Sequence, residues 1–250
     1  RSVVLEKYQY TYDGHNHKPA VQVKRGRVVL EEGTDYELAY SNDDGSTLDA
    51  SAGGKLVTIT GLNGYYQYTS RSYDIVPKTA KASKIQIVPN LPKDGSGNYY
   101  SVYTGTEIEP AVTIYDTEIS DSIPVSADNY DVTYTRNKDM STSTNPAVIH
   151  ITFKNNYAMG AESYTMPFYI KAKTIETGFD AYLPGGSQYA YTGEAVTPEV
   201  IVKPTSLDTV EGELIEGVDY TLTYKNNVKA GVASVVVTGI NNYSGEIELP

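Results

Sequence analysis

Tyr220-Thr221-Leu222-Thr223-Tyr224, with Asp219 before it and Lys225-Asn226-Asn227 after it, is the stretch on which the fold turns. Side chains alternate along an extended strand, so two tyrosines four residues apart share one face. The same pair stands twice more, as Tyr36 with Tyr40 and as Tyr130 with Tyr134, each time after an acidic or amide residue. A pattern that returns twice at a spacing of about 90 residues marks internal repeats, longer than most solenoid units.

Upstream of each pair lies a Tyr-x-Gly: Tyr12-Asp13-Gly14, Tyr103-Thr104-Gly105 and Tyr191-Thr192-Gly193. Five residues past each glycine comes a proline, at Pro19, Pro110 and Pro198, which leads into a β-branched run such as Val200-Ile201-Val202. Downstream is an alternating strand in which Val57 and Ile59, Ile149 and Ile151, and Val235 and Val237 share a face. It runs into Asn63-Gly64, Asn155-Asn156 or Asn241-Asn242, each followed by a tyrosine. Such pairs tolerate the positive φ angles of a type I′ hairpin turn, which predicts strands on both sides. A closing strand follows as Tyr73-Asp74-Ile75 and Phe168-Tyr169-Ile170, while the third repeat reaches Pro250 before the matching residues. On this reading the sequence is cut a few residues short of its last full strand.

Six or seven short strands per repeat, punctuated by Gly, Pro, Asn and Asp and without a helical period, predict an all-β chain. The fold class expected is three tandem immunoglobulin-like β-sandwich domains in an elongated array, with domains at residues 1–78, 79–172 and 173–250. The joints near Lys78 and Ala172 run straight into new β-branched segments, which leaves few residues for hinges. The chain has 24 tyrosines, three phenylalanines, no tryptophan and no cysteine. The cores are therefore expected to be filled by four or five tyrosine rings per repeat, with hydroxyls reaching the sandwich edge. Disulfides, thiolate metal sites and cysteine nucleophiles are excluded together.

The features of residues 191–245, from Tyr191-Thr192-Gly193 through Gly217-Val218-Asp219-Tyr220 to Asn241-Asn242-Tyr243-Ser244-Gly245, resemble bacterial immunoglobulin-like (Big-type) repeats. Such repeats occur in tandem in secreted and wall-attached proteins of Gram-positive gut bacteria. The first copy departs from the pattern with Ser41-Asn42-Asp43-Asp44-Gly45, and the second with Asn145-Pro146. The resemblance implies an extracellular location, at the cell surface or secreted. It also implies a non-enzymatic role as spacer, stalk or adhesin segment of a larger protein. The partners it implies are flanking domains of the same polypeptide, with host or dietary glycans or cell-wall components as adhesive contacts. No cofactor is expected, and a monomer is.

A net charge of −11, with only five scattered arginines, repels phosphate backbones and makes nucleic acid and anionic membranes poor partners. No stretch approaches the ~18 apolar residues of a membrane span. Catalysis finds little support. His150 lies on the strand face opposite the expected core, and no nucleophile and base pair up. His15 and His17 beside Asp13 are a conceivable metal pair, but the other copies have Thr106 and Ile108, or Glu194 and Val196, in their place. They read as surface histidines, and no metal site is assigned. Asn42-Asp43-Asp44-Gly45 with Asp49 reads as an acidic turn, since it lacks calcium-loop spacing. Leu91-Pro92-Lys93-Asp94-Gly95 and Leu183-Pro184-Gly185-Gly186-Ser187 read as loops, and no Lys–Asn pair stands out as an isopeptide candidate.

The alternative function is a carbohydrate-binding module. In Tyr65-Tyr66-Gln67-Tyr68 at least one ring must face solvent, and Tyr99-Tyr100 precedes the second Tyr-x-Gly. The candidate binding residues are Tyr66, Tyr68 and Tyr100.

Overall fold

The computed structural model describes residues 2–41, 49–65, 67–158, 163–206 and 210–250. The architecture is all-β. Two single-turn 3-10 helices, Ala82–Lys84 and Ala127–Asn129, are the only helical structure among the described residues, and the sheets are small, with two to four strands each. The chain divides into two compact units. One comprises Arg1–Val88, Thr113–Val132 and Ile151–Tyr164, the other Pro89–Val112, Thr133–His150 and Thr165–Pro250.

In the first unit, β1 (Ser2–Leu5), β3 (Val21–Arg25) and β4 (Val28–Val29) form one sheet. A second runs in the order β2-β7-β6-β5, from β2 (Gln9–Thr11), β5 (Tyr36–Tyr40), β6 (Ser51–Gly61) and β7 (Tyr68–Val76). Alternation buries Val3 and Leu5 on β1 and leaves Ser2 and Val4 exposed. Both sheets feed one core: Val3, Leu5 and Val23 meet Tyr36, Val57, Ile59 and Tyr73. The Tyr73 ring is 1% exposed, a burial that contributes roughly 2–3 kcal/mol. β8 (Ile85–Pro89) then pairs with β10 (Val112–Asp116).

A four-stranded sheet runs in the order β11-β12-β13-β9, from β9 (Tyr100–Val102), β11 (Tyr130–Thr135), β12 (Ala147–Phe153) and β13 (Tyr164–Lys171), with β9 parallel to β13. Beyond it, β14 (Lys173–Thr174), β15 (Phe179–Tyr182), β16 (Ile201–Pro204), β17 (Tyr220–Lys225), β18 (Ser234–Gly239), β19 (Tyr243–Ser244) and β20 (Glu246–Leu249) form three sheets, β14-β19, β15-β16 and β17-β18-β20. Their core gathers Phe179, Val202, Leu214, Tyr220, Val235, Val237 and Tyr243. These include the same pattern positions as the first core: Tyr220 for Tyr36, and Val235 and Val237 for Val57 and Ile59.

The repeated residues make repeated bonds. The second tyrosine of each pair donates its hydroxyl to the carbonyl of the repeated proline: Tyr40 to Pro19 at 2.7 Å, Tyr134 to Pro110 at 2.7 Å and Tyr224 to Pro198 at 2.6 Å. The first asparagine of each turn donates to the carbonyl two residues before the pair, Asn63 to Thr34, Asn155 to Asp128 and Asn241 to Val218. That asparagine has positive φ in every copy, 46°, 57° and 57°. Only Gly64 continues the positive φ into the second turn position. Asn156 and Asn242 do not, so the predicted type I′ geometry is confined to the first copy. The reason is chemical: glycine adopts the left-handed region without cost, and an asparagine held by other bonds does not need it.

The expectation of four or five core tyrosines per repeat is too high. Among the described residues only Tyr36, Tyr73, Tyr157, Tyr164, Tyr220 and Tyr243 are buried. Aliphatic side chains fill the rest, and most other rings lie half-buried, Tyr40, Tyr134 and Tyr224 among them with their hydroxyls on backbone carbonyls.

Candidate functional site

The most elaborate polar arrangements lie where the expected joints fall, and they occur twice with corresponding atoms. At the first, Asn156 follows the turn asparagine and is 5% exposed. Its Nδ2 donates to Asp49 Oδ1 at 2.6 Å, and its Oδ1 accepts the Ala50 N–H at 2.7 Å. Its carbonyl accepts the Lys78 N–H, and Lys78 returns a carbonyl to the Ala158 N–H. At the second, Asn242 Nδ2 donates to Asp139 Oδ1 at 3.1 Å, its Oδ1 accepts the Met140 N–H at 2.7 Å, and its carbonyl accepts the Lys173 N–H. An amide both donates and accepts, so one asparagine satisfies a carboxylate and the following N–H together.

A lysine, a carboxylate and two tyrosines sit beside each clasp. Lys78 Nζ lies 2.5 Å from Asp116, whose side chain is 1% exposed, and 3.0 Å from Glu118. The Tyr157 hydroxyl donates to Asp116 at 3.2 Å, and the Tyr157 ring meets Tyr12 edge to face at 5.8 Å. Beside the second clasp Lys173 pairs with Glu211, the Tyr243 hydroxyl donates to Glu211 at 3.5 Å, and Tyr243 meets Tyr103 edge to face at 5.5 Å. Burial first, then the Asp116 charge, pushes the Tyr157 hydroxyl far above the ordinary tyrosine range. Burial and then Glu211 do the same to Tyr243. Hydrogen bonds from Lys81 and Lys78 hold the Glu118 carboxyl down to about 2.

Two of the three Tyr-x-Gly glycines lie against these clusters. Gly14 has φ 75°, and a Cβ there would come within 2.7 Å of Ile119 Cγ2; Gly105 has φ 81° and faces Val210 and Glu211. Gly193, with φ 81°, has only the Tyr191 hydroxyl at 3.9 Å. Sequence reasoning found the tyrosine and the turn but missed the clasp chemistry. The signal was there, in an asparagine at the second turn position of copies two and three against Gly64 in copy one, and in a lysine at both expected joints.

Of the candidate sugar-binding tyrosines, Tyr66 lies outside the described residues. Tyr68 begins β7 and is 73% exposed. Tyr100 is half-buried on β9, with the Lys171 ammonium 3.5 Å from its ring centroid, a cation–π contact that covers one face. Tyr68 and Tyr100 belong to different units. The acidic loop Asn42-Asp43-Asp44-Gly45 also lies outside the described residues, whereas Asp49 serves the Asn156 clasp.

His17 Nε2 sits 3.1 Å from Asp13 and its ring stacks on Tyr10 at 4.3 Å, while His15 takes Asp13 through its backbone N–H. Among the described residues no group of three or more His, Cys, Asp or Glu side chains is placed to hold a metal ion. His150 is half-buried and bonds the Thr135 hydroxyl at 2.8 Å. No helix among the described residues is long and apolar enough to cross a membrane. No family model, curated protein or solved structure matches the chain.

Proposed function

We propose that this chain is a non-catalytic spacer segment: three tandem immunoglobulin-like β-sandwiches at residues 1–78, 79–172 and 173–250, set in line to hold flanking domains of an extracellular bacterial protein apart. The observation that carries the reading is the duplicated joint. Asn156 and Asn242 use the same atoms to clasp an acidic residue and the next N–H, and each stands beside a lysine–carboxylate–tyrosine cluster. A joint held by backbone bonds, an amide clasp and an ion pair resists bending, which is what a stalk requires. The bacterial cell-surface or secreted location rests on the resemblance of residues 191–245 alone. Small-angle scattering of the full chain tests the spacer: a rod-like distance distribution is expected, and an isotropic particle refutes it.

The exposed ring of Tyr68 favours carbohydrate contact as a second reading. Retention on a glycan array that disappears in a Tyr68→Ala variant would favour that reading over a purely mechanical role.

A further inference from the structure

In every copy a segment near its opening runs beside a segment near its close, and in the same direction. In the first, β2 lies parallel to β7, with Gln9 opposite Asp74, Tyr10 opposite Ile75 and Thr11 opposite Val76. The Asp74 N–H donates to the Tyr8 carbonyl and the Tyr12 N–H to the Val76 carbonyl, both at 2.9 Å. In the second, β9 lies parallel to β13, and the Tyr169 N–H donates to the Tyr99 carbonyl and the Tyr103 N–H to that of Lys171, again at 2.9 Å. In the third, β14 lies parallel to β19, with Lys173 opposite Tyr243 and Thr174 opposite Ser244. Each of these pairings falls within one compact unit.

Direction decides how such a pair meets a pull. When opening and closing strands are antiparallel, the chain enters and leaves at the same end, and tension peels the ladder one bond at a time. When they are parallel, it enters at one end and leaves at the other, so tension slides the strands lengthwise and loads the evenly spaced rungs together. Two of the closing strands are anchored against that slide. β7 lies between β2 and β6, and β13 between β9 and β12. Tyr73 and Ile75 on β7, and Phe168 and Ile170 on β13, are each 0–1% exposed. A one-residue slip of β2 would turn Tyr10 out of its edge-to-face contact with Tyr73, at 6.1 Å, and out of its stack on His17. The chain has no cysteine, so no disulfide shares the load.

We infer that β2–β7, β9–β13 and β14–β19 are tension clamps, and that the chain transmits a pulling force between the domains that flank it. The inference rests on the spacer reading and adds a load to it, since a spacer that only keeps a distance needs no directional strength. The working quantity is the barrier to sliding along the chain, which equilibrium stability does not report.

Forced unfolding of single molecules of the full chain tests the clamps. With no native thiol, two introduced cysteines fix the points of attachment. Lys7→Cys with Pro77→Cys pulls β2 and β7 lengthwise, whereas Lys7→Cys with Ser72→Cys, at matching heights in the register, opens the same pair from one end. All three positions are exposed. The lengthwise force is expected to be severalfold higher at equal pulling speed. For the second copy, attachment at Asn98→Cys and Ala172→Cys loads β9 against β13. There Ser101→Pro removes the N–H that lies between the bonded Tyr99 and Tyr103, while Val102→Pro removes one that the alternation turns away from β13. The first variant is expected to lose most of the lengthwise resistance and the second to keep it. Equal forces in the two directions, or equal losses in the two proline variants, overturn the inference. The directional comparison decides on its own if Ser101→Pro fails to fold. A rod-like scattering profile with equal forces sinks the clamps and leaves the spacer reading standing; a directional force in an isotropic particle does the reverse.

Discussion

Replacing Asn156 with alanine is the sharpest trial of the clasp. The substitution removes a 2.6 Å bond to the Asp49 carboxylate and a 2.7 Å bond from the Ala50 N–H. A hydrogen bond to a charged group contributes about 1.5–3 kcal/mol and a neutral one about 1. Asp49 is exposed and regains water when the amide goes, whereas Ala50 is half-buried and regains less. The net loss is therefore about 2 kcal/mol, below the sum of the two terms. Asn242→Ala should lose less, about 1 kcal/mol, because its bond to Asp139 is longer and Met140 is exposed.

Amide exchange isolates the joint, since the Lys78 N–H bonds the Asn156 carbonyl and the Lys173 N–H that of Asn242, and both bonds survive the substitutions. If opening becomes easier by those amounts, exchange at Lys78 rises about 30-fold and at Lys173 about 5-fold. Amides within the β6–β7 pairing should keep their rates. An unchanged Lys78 amide, or an equal rise throughout β6 and β7, would refute the view that this side chain holds the Lys78 strand end in place.

Three further outcomes are expected. Lys78→Met leaves the Asp116 carboxylate, 1% exposed, without its nearest cation, and should cost about 3 kcal/mol in urea unfolding, with most of that recovered when Asp116→Asn is added. Gly193→Ala should cost about 1 kcal/mol for its left-handed backbone and Gly14→Ala about 2, because Ile119 must also move; equal losses would detach Gly14 from the joint. The pH dependence has two edges. The Tyr157 and Tyr243 hydroxyls are raised in the folded state, so their contribution is complete below the unfolded tyrosine value of about 10 and is lost as pH climbs beyond it. Glu118 is depressed to about 2, so its contribution is present above the unfolded glutamate value of about 4.3 and fades as pH falls towards 2. Phenolate absorbance followed against circular dichroism checks the alkaline edge, and exchange at Lys78 the acidic one.

The all-β architecture was legible because the alternation of Val57 with Ile59 and of Val235 with Val237 has a period of two, and period two admits one reading. The proline and turn positions were legible for the same local reason. Tyrosine burial was overestimated because a phenol ring satisfies itself either inside a core or at its rim. Sequence spacing does not distinguish Tyr36, which is buried, from Tyr40, which is half-buried, although both hydroxyls reach backbone carbonyls. The clasps were hidden for a different reason. Asn156 meets Asp49 across more than a hundred residues, and only a fold brings such partners together.

The prolines that accept the tyrosine hydroxyls have a consequence for solubility. Proline offers no N–H, so no neighbouring chain can complete a ladder across Pro19, Pro110 or Pro198, and the carbonyl that would otherwise invite one is already taken by Tyr40, Tyr134 or Tyr224. In a chain rich in β-branched residues, each copy thus sets a proline just ahead of a strand, β3, β10 or β16, where it blunts pairing with another chain.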